Sequence, residues 1–456
     1  MKFKGNNLNF LIFSVAVVAI FIFSIFGQLT ITEGLILFLL LLLGTLFFLK
    51  PFLGLLMVIF LRPTIDLLGT KFVLGTGFSS ALNYNSLFGL LVVLCGGIVV
   101  IRNRTQFRRI PAFYPIFAFS AISLISILWT PQPILGLREI FRLLSIFIIY
   151  LTSFLLVKHR KDFKKLLYVL ISSSIIPLIV AFWQYYVGKG EVIFGEFFRR
   201  LYGTFFYPNS LAFFLVFITG ILLLVLYWSK KIQTKAFYSI IIFSSFFILL
   251  RTYTRGAWIG ALIIFFTFGF FKFKKVLLIG ILFLILLSIS VPLLQERIRD
   301  IITLEPFSSL VWRFRLWENT MPFFFERPIL GHGLSSFQFL SQNVQGLSLL
   351  PAPEAHNDYL KILIETGAVG LIMYISIYFK LLVFNFGVYF KGKDKYLKDV
   401  SFLAILLLAT FLAMSFGDNI LRGTATQWAL FAYLGGISSL NIRAKKKKHK
   451  KEAIKI

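Results

Sequence analysis

Apolar runs of about 11 to 23 residues, parted by short polar links, recur along the chain from residue 8 to residue 442. A helix rises 1.5 Å per residue, so about 20 apolar residues cross a hydrocarbon core of ~30 Å. On that measure, spans are predicted near 8–26, 34–49, 51–61, 86–101, 111–128, 138–157, 166–187, 210–228, 236–250, 256–271, 276–294, 368–390, 399–416 and 427–442. The third run reads as a half-span or an interfacial piece. The first run lacks a small-x-small cleavage site and is expected to remain as a helix. The pattern predicts an all-α polytopic membrane protein of about 12–14 transmembrane helices with one long loop, 295–355.

Five stretches follow from this pattern. N-terminal transmembrane helices occupy 1–187, and central helices with Arg-bearing turns occupy 188–294. The long loop and its re-entry fill 295–367, C-terminal transmembrane helices 368–442, and a basic tail 443–456.

Composition agrees with a membrane bundle, since 58% of the 456 residues are hydrophobic and only 14% are charged. Soluble chains carry about 25% charged residues. A net charge of +29 resembles a nucleic-acid footprint. Its basic residues, however, gather in the links 102–109, 158–165, 272–275 and 391–398 and in the tail, as expected of cytoplasmic loops beside anionic lipid. No nucleic-acid partner is expected. The lone cysteine, Cys95, excludes an intrachain disulfide.

Charge also sets the expected topology, with both termini cytoplasmic and the long loop outside. Links assigned to the inner face carry mainly Lys, and those assigned to the outer face mainly Arg. Topology needs only positive charge, whereas a planar guanidinium fork suits bidentate contact with phosphate or carboxylate. Arginines snorkelling to the outer headgroups are the other explanation.

Four outer clusters could carry chemistry. Residues 236–271 are too long for one crossing, and their middle, Arg251-Thr-Tyr-Thr-Arg255-Gly256, predicts a turn that presents Arg255 and Arg251 to an anion. Arg199-Arg200-Leu-Tyr202-Gly203 leads into Pro208-Asn209, where Arg200 and Tyr202 could meet a glycan phosphate or simply form an aromatic belt. Residues 308–325 are helix-compatible and put Arg313 and Trp317 on one face, for a ligand or for a helix lying on the membrane. The fourth cluster runs from His356-Asn357-Asp358 to Gly367 and Gly370, at the point where the loop re-enters the bilayer. Asn357 or Asp358 can cap a short helix, while Asp358, Lys361 and Glu365 share a polar face and Gly367 ends or bends it. His332 and His356 are the two outer histidines able to serve as a base near neutral pH.

These motifs resemble the O-antigen ligase and O-antigen polymerase superfamily of bacterial membrane glycosyltransferases. The ligase signature of His, a polar amide, nine residues, Gly, two residues and Gly matches His356, Asn357, Gly367 and Gly370. The superfamily's Arg-Gly-Ala turn matches Arg255-Gly256-Ala257, with Thr254 where Ser is frequent. Its loop pattern is similar to Arg313, Trp317 and Pro328-Ile-Leu-Gly331-His-Gly333.

The resemblance implies a GT-C-like, metal-independent, inverting transferase without a cofactor, in the bacterial inner membrane with its active site on the periplasmic face. Its donor would be a glycan on undecaprenyl pyrophosphate. The acceptor would be lipid A core sugar for a ligase, or a lipid-linked repeat unit for a polymerase. His356, Arg255 and Arg313 are then the expected catalytic residues, with Arg200, Arg251, Asn357, Trp317 and Tyr202 binding substrate. A transporter of lipid-linked sugars would call for internal repeats and midplane charges, and the sequence shows no convincing repeat.

Overall fold

The computed structural model describes residues 31–67, 84–193, 198–272, 309–342 and 354–453, with scattered positions between 274 and 285. The expected run at 8–26 and most of that at 276–294 lie outside the described residues. Fifteen α-helices are described, making this an all-α polytopic membrane protein. Eight described spans are long and apolar enough to cross a membrane, and three shorter apolar stretches, 38–49, 51–65 and 113–128, accompany them.

In chain order the helices begin with α1 (Ile31–Leu49), α2 (Pro51–Ile65), α3 (Tyr84–Arg102) and α4 (Phe113–Ile125). Next come α5 (Pro133–Leu156), α6 (Arg160–Ser172) and α7 (Ile175–Tyr186). The short strands β1 (Glu191–Ile193) and β2 (Phe198–Arg200) pair antiparallel, Glu191 opposite Arg200. Then follow α8 (Pro208–Trp228), α9 (Ile232–Arg251) and α10 (Arg255–Lys272). The long loop contributes α11 (Ser309–Glu326) and α12 (Phe337–Gln342). The chain returns through α13 (Asp358–Lys391), α14 (Lys395–Ser415) and α15 (Thr424–Ala453).

Association of helices in lipid relies on close packing, because the solvent there is as apolar as the side chains. Glycines supply the proximity where α15 crosses α5. A Cβ at Gly435 would stand 2.3 Å from the Tyr150 carbonyl oxygen. The fully buried Tyr150, Tyr433, Trp428 and Phe431 fill the adjoining space. At the end of the bundle away from the long loop, Lys272 of α10 pairs with Asp399 of α14 at 2.6 Å, and Trp228 Nε1 donates to the second carboxylate oxygen at 3.2 Å.

The helix that leaves the long loop is broken. Gly367 within α13 has φ 69° and ψ −173°, outside helical geometry. In lipid, backbone groups released by such a break need new partners. The segment 328–333 supplies them: His332 and Gly333 donate to the carbonyls of Ile364 and Glu365 at 3.0 and 2.8 Å, while Ala368 and Val369 donate to those of Pro328 and Ile329 at 2.8 and 3.3 Å. The Pro-x-x-Gly-x-Gly stretch is therefore the backbone complement of the break.

Two glycines on this one helix should respond in opposite ways. A Cβ at Gly367 would lie 2.1 Å from the Ile329 carbonyl oxygen at a positive φ, whereas Gly387 has nothing within 4 Å. Gly367→Ala is expected to lower stability by about 2 kcal/mol or more, and Gly387→Ala to leave it unchanged or raise it by up to ~1 kcal/mol. Thermal unfolding in detergent, followed by tryptophan fluorescence, checks both.

Candidate active site

His356 occupies a turn in which the chain has φ 47°, a sparsely populated conformation for a residue with a side chain. Asn357 follows as the N-cap of α13, its Oδ1 accepting from the amides of Tyr359 and Leu360 at 3.0 and 3.1 Å. The turn is held from outside as well. Trp317 Nε1 donates to the Ala355 carbonyl at 2.7 Å, and the Trp312 ring stands edge-on to the imidazole at 5.7 Å. Asn357 and Trp317 thus brace the backbone on both sides of the histidine.

Opposite the histidine lies Asp418, in the connection between α14 and α15. Its Oδ1 is 3.4 Å from His356 Nδ1, its Oδ2 accepts from Asn209 Nδ2 at 2.7 Å, and Arg313 Nη2 stands 3.9 Å away. Burial alone would raise the Asp418 carboxyl. The bond and charge from His356, the Arg313 charge and the Asn419 amide outweigh it and hold the group below the usual carboxylate range. An ionised carboxylate on Nδ1 favours the tautomer that leaves Nε2 free to accept a proton.

Asn209 extends the contacts to Arg200. The Arg200 guanidinium donates to Asn209 Oδ1, to the Thr252 carbonyl at 2.8 Å and to Thr254 Oγ1 at 3.2 Å, and it pairs with Glu191 at 3.3 Å. Thr254, the residue before Arg255, is buried and also bonds Asn209 at 3.1 Å. The expected turn between α9 and α10 is present, with Tyr253 at φ 52°. One hydrogen-bonded chain therefore joins the Thr252–Thr254 turn, Arg200, Asn209, Asp418 and His356.

These groups open on a cavity of about 570 Å³. Arg200, Tyr207, Asn209, His356 and Asp418 line one part of it, and Arg138, Glu139, Arg142, Lys361, Glu365 and Arg422 line another. Glu139 accepts from Arg142 Nε at 2.9 Å and from Lys361 at 3.4 Å, and Lys361 is also 4.0 Å from Glu365. Asp358 accepts from the Leu421 amide at 3.0 Å, which anchors the 416–423 connection to α13. Arg138 lines the cavity and donates no hydrogen bond among the described residues.

The expected site residues do not all reach the cavity. His356 and Arg200 face the cavity. Arg313 stands behind Asp418, donating to the Gly417 carbonyl at 2.5 Å, and Arg255 begins α10 beside Thr254; neither is among the residues that line the cavity. Arg251 is committed elsewhere, stacked on Tyr185 at 4.9 Å and bonded to the hydroxyls of Tyr185 and Tyr253 at 3.2 Å each. Tyr202 is not a lining residue either, and its neighbour in sequence Tyr207 takes that place. His332 is buried, with Nε2 2.7 Å from the Phe323 carbonyl, in a position that holds the loop.

Sequence reasoning missed Asp418, Arg138, Glu139 and Arg142. The apolar pattern starts the span at residue 138, whereas α5 begins at Pro133, so Arg138, Glu139 and Arg142 lie inside the helix rather than at its edge. A usable signal was present: Arg138, Glu139 and Arg142 fall on adjoining positions of one helix face.

No curated protein matches the chain. Residues 240–375 match the family model for O-antigen ligase, an interval that holds the Thr254–Arg255 turn, α11, the 328–333 stretch and His356. That match supports a likeness to the O-antigen ligase superfamily over this interval.

Proposed function

We propose that this protein transfers a glycan from an undecaprenyl-pyrophosphate donor to an acceptor hydroxyl at the outer face of the bacterial inner membrane, as an O-antigen ligase whose acceptor is lipid A core sugar. The observation that carries the reading is the pairing of His356 with a buried, ionised Asp418 in the wall of a cavity that Arg200 also enters. In the proposed reaction, His356 Nε2 takes the proton of the acceptor hydroxyl as its oxygen attacks the anomeric carbon, with inversion. The bond to the diphosphate breaks, and its developing negative charge is met by guanidinium groups in place of a metal ion.

Arg200 and Arg138 supply those contacts from the cavity wall, while Arg255, outside the lining, follows Thr254 in the turn that holds Arg200. Arg313 acts through Asp418, which it helps to hold. Tyr207 offers a ring face for a sugar. The His-Asn-x9-Gly-x2-Gly spacing favours ligase over polymerase, and the acceptor decides between them. A lipid A core product supports the ligase, while elongation of a lipid-linked repeat unit would make the protein a polymerase. A transporter of lipid-linked sugars would move the donor without cleaving it, and it has no need of the His356–Asp418 pair.

Purified protein with a lipid-linked glycan donor provides the test. His356→Ala and Asp418→Asn are each expected to lower kcat on the order of a hundredfold with little change in donor KM. Near wild-type turnover in both folded variants would overturn the assignment. Arg200→Lys should retain less than a tenth of the activity, because a lysine keeps the charge but not the fork that spans Asn209, Thr252 and Thr254.

Asp418 also gives a pH signature in stability. Its pairing depresses the folded carboxyl below the unfolded value of ~3.9, so the stabilisation is complete above that value and is lost as the pH falls through the folded one. Asp418→Asn should therefore lower the unfolding midpoint at pH 7, and its difference from the wild type should shrink at an acid pH below the unfolded ~3.9. An equal effect at both pH values would show that ionisation is irrelevant there.

A further inference from the structure

A second cavity, of about 520 Å³, lies at the end of the bundle away from His356, between α4, the 3-10 turn that precedes it and α13. Lys380 of α13 lines it, 13 residues and roughly 20 Å along the helix beyond the break at Gly367. Arg108 of the Arg104–Arg109 turn forms a second basic wall, with Tyr114 and Ser376 as the polar groups between and Phe113 and Met373 among the apolar ones. No acidic residue lines it.

The recess follows from the length of the chain segments around it. The apolar stretch 113–128 is 16 residues, about 24 Å, short of a ~30 Å hydrocarbon core. Its entry is pinned inward, because Tyr150 Oη donates to the Pro111 carbonyl at 2.7 Å from a point six residues, about 9 Å, before the end of α5. Meanwhile α13 continues past this level to Lys391.

Lys380 itself is out of place for ordinary lipid contact. It sits in an exposed stripe of Ile372, Ile375, Phe379, Val383 and Phe386, and it makes no hydrogen bond or ion pair among the described residues. Arg108 is likewise exposed and unpaired among the described residues. Cations on a lipid-facing surface are disfavoured unless an anion meets them or they reach the headgroups.

We propose that this recess is a binding site for one anionic phospholipid, with its phosphodiester between Lys380 and Arg108 and an acyl chain along the Ile372–Phe379 stripe. Charge complementarity selects the occupant, since the wall offers two cations and no acid. A zwitterionic lipid brings its own cation into that field and is bound less well. The site is separate from the glycan cavity and independent of the transfer reaction.

Native mass spectrometry of the full-length protein, with phosphatidylglycerol or phosphatidylcholine added, tests the proposal. The wild type should retain phosphatidylglycerol more strongly, and Lys380→Gln and Arg108→Gln should each weaken that retention about fivefold, with Lys380→Arg close to wild type. Lys164→Gln removes an exposed charge on α6 and serves as the control for general surface attraction. Equal retention of the two lipids, or the same loss in Lys164→Gln as in Lys380→Gln, overturns the site. Arg108→Gln on the surface turn keeps the test valid if the helix variant folds poorly.

Discussion

Glu139 lies between Arg142 on its own helix and Lys361 on α13, and one wall of the cavity beside His356 is organised around that contact. Ionised groups taken out of water are tolerable only in company, and removing one member of such a cluster strands the others. Arg142 donates also to the Leu421 carbonyl, while Asp358 receives the Leu421 amide. Helix α5, helix α13 and the 416–423 connection are thereby fixed to one another by charge-assisted bonds. Asp418 belongs to that connection, so the carboxylate beside His356 inherits its position from a cluster that contacts neither residue directly.

The cavity wall is close to electrically balanced. Six basic side chains, counted without His356, face six acidic ones: Arg62, Arg138, Arg142, Arg200, Lys361 and Arg422 against Asp66, Glu139, Glu191, Glu354, Glu365 and Asp418. Such a surface does not act as a simple anion trap. Paired guanidinium and carboxylate groups offer donors and acceptors in alternation, which suits a polyhydroxylated ligand, and the few cations with spare donors can address a phosphate. Any selectivity of this cavity then comes from where the spare donors lie rather than from total charge.

Much of the architecture was legible because hydropathy has few rivals as a signal once apolar runs reach 20 residues. The turn at 251–255, the helix containing Arg313 and Trp317, the Asn357 cap and the bend at Gly367 follow from local chemistry that the sequence displays. Asp418 was hidden for a physical reason. It stands in a short Gly-Asp-Asn link with no neighbouring motif, and its importance comes from residues 62 and 209 positions away in the chain. Arg255 and Arg313 illustrate the converse: each sits in a recognisable motif, yet local pattern cannot say whether a guanidinium enters a cavity or supports a residue that does.

The break at Gly367 separates two jobs that one continuous rod would have to share. Below it, α13 is long and apolar enough to cross the membrane. Above it, the nine residues from Asp358 to Thr366 take their direction from the loop backbone and from the charges around Glu139. The 328–333 backbone bonds to residues on both sides of the break, so the joint holds the two parts at a set angle. The direction in which His356 is presented is thus set by a loop outside the span.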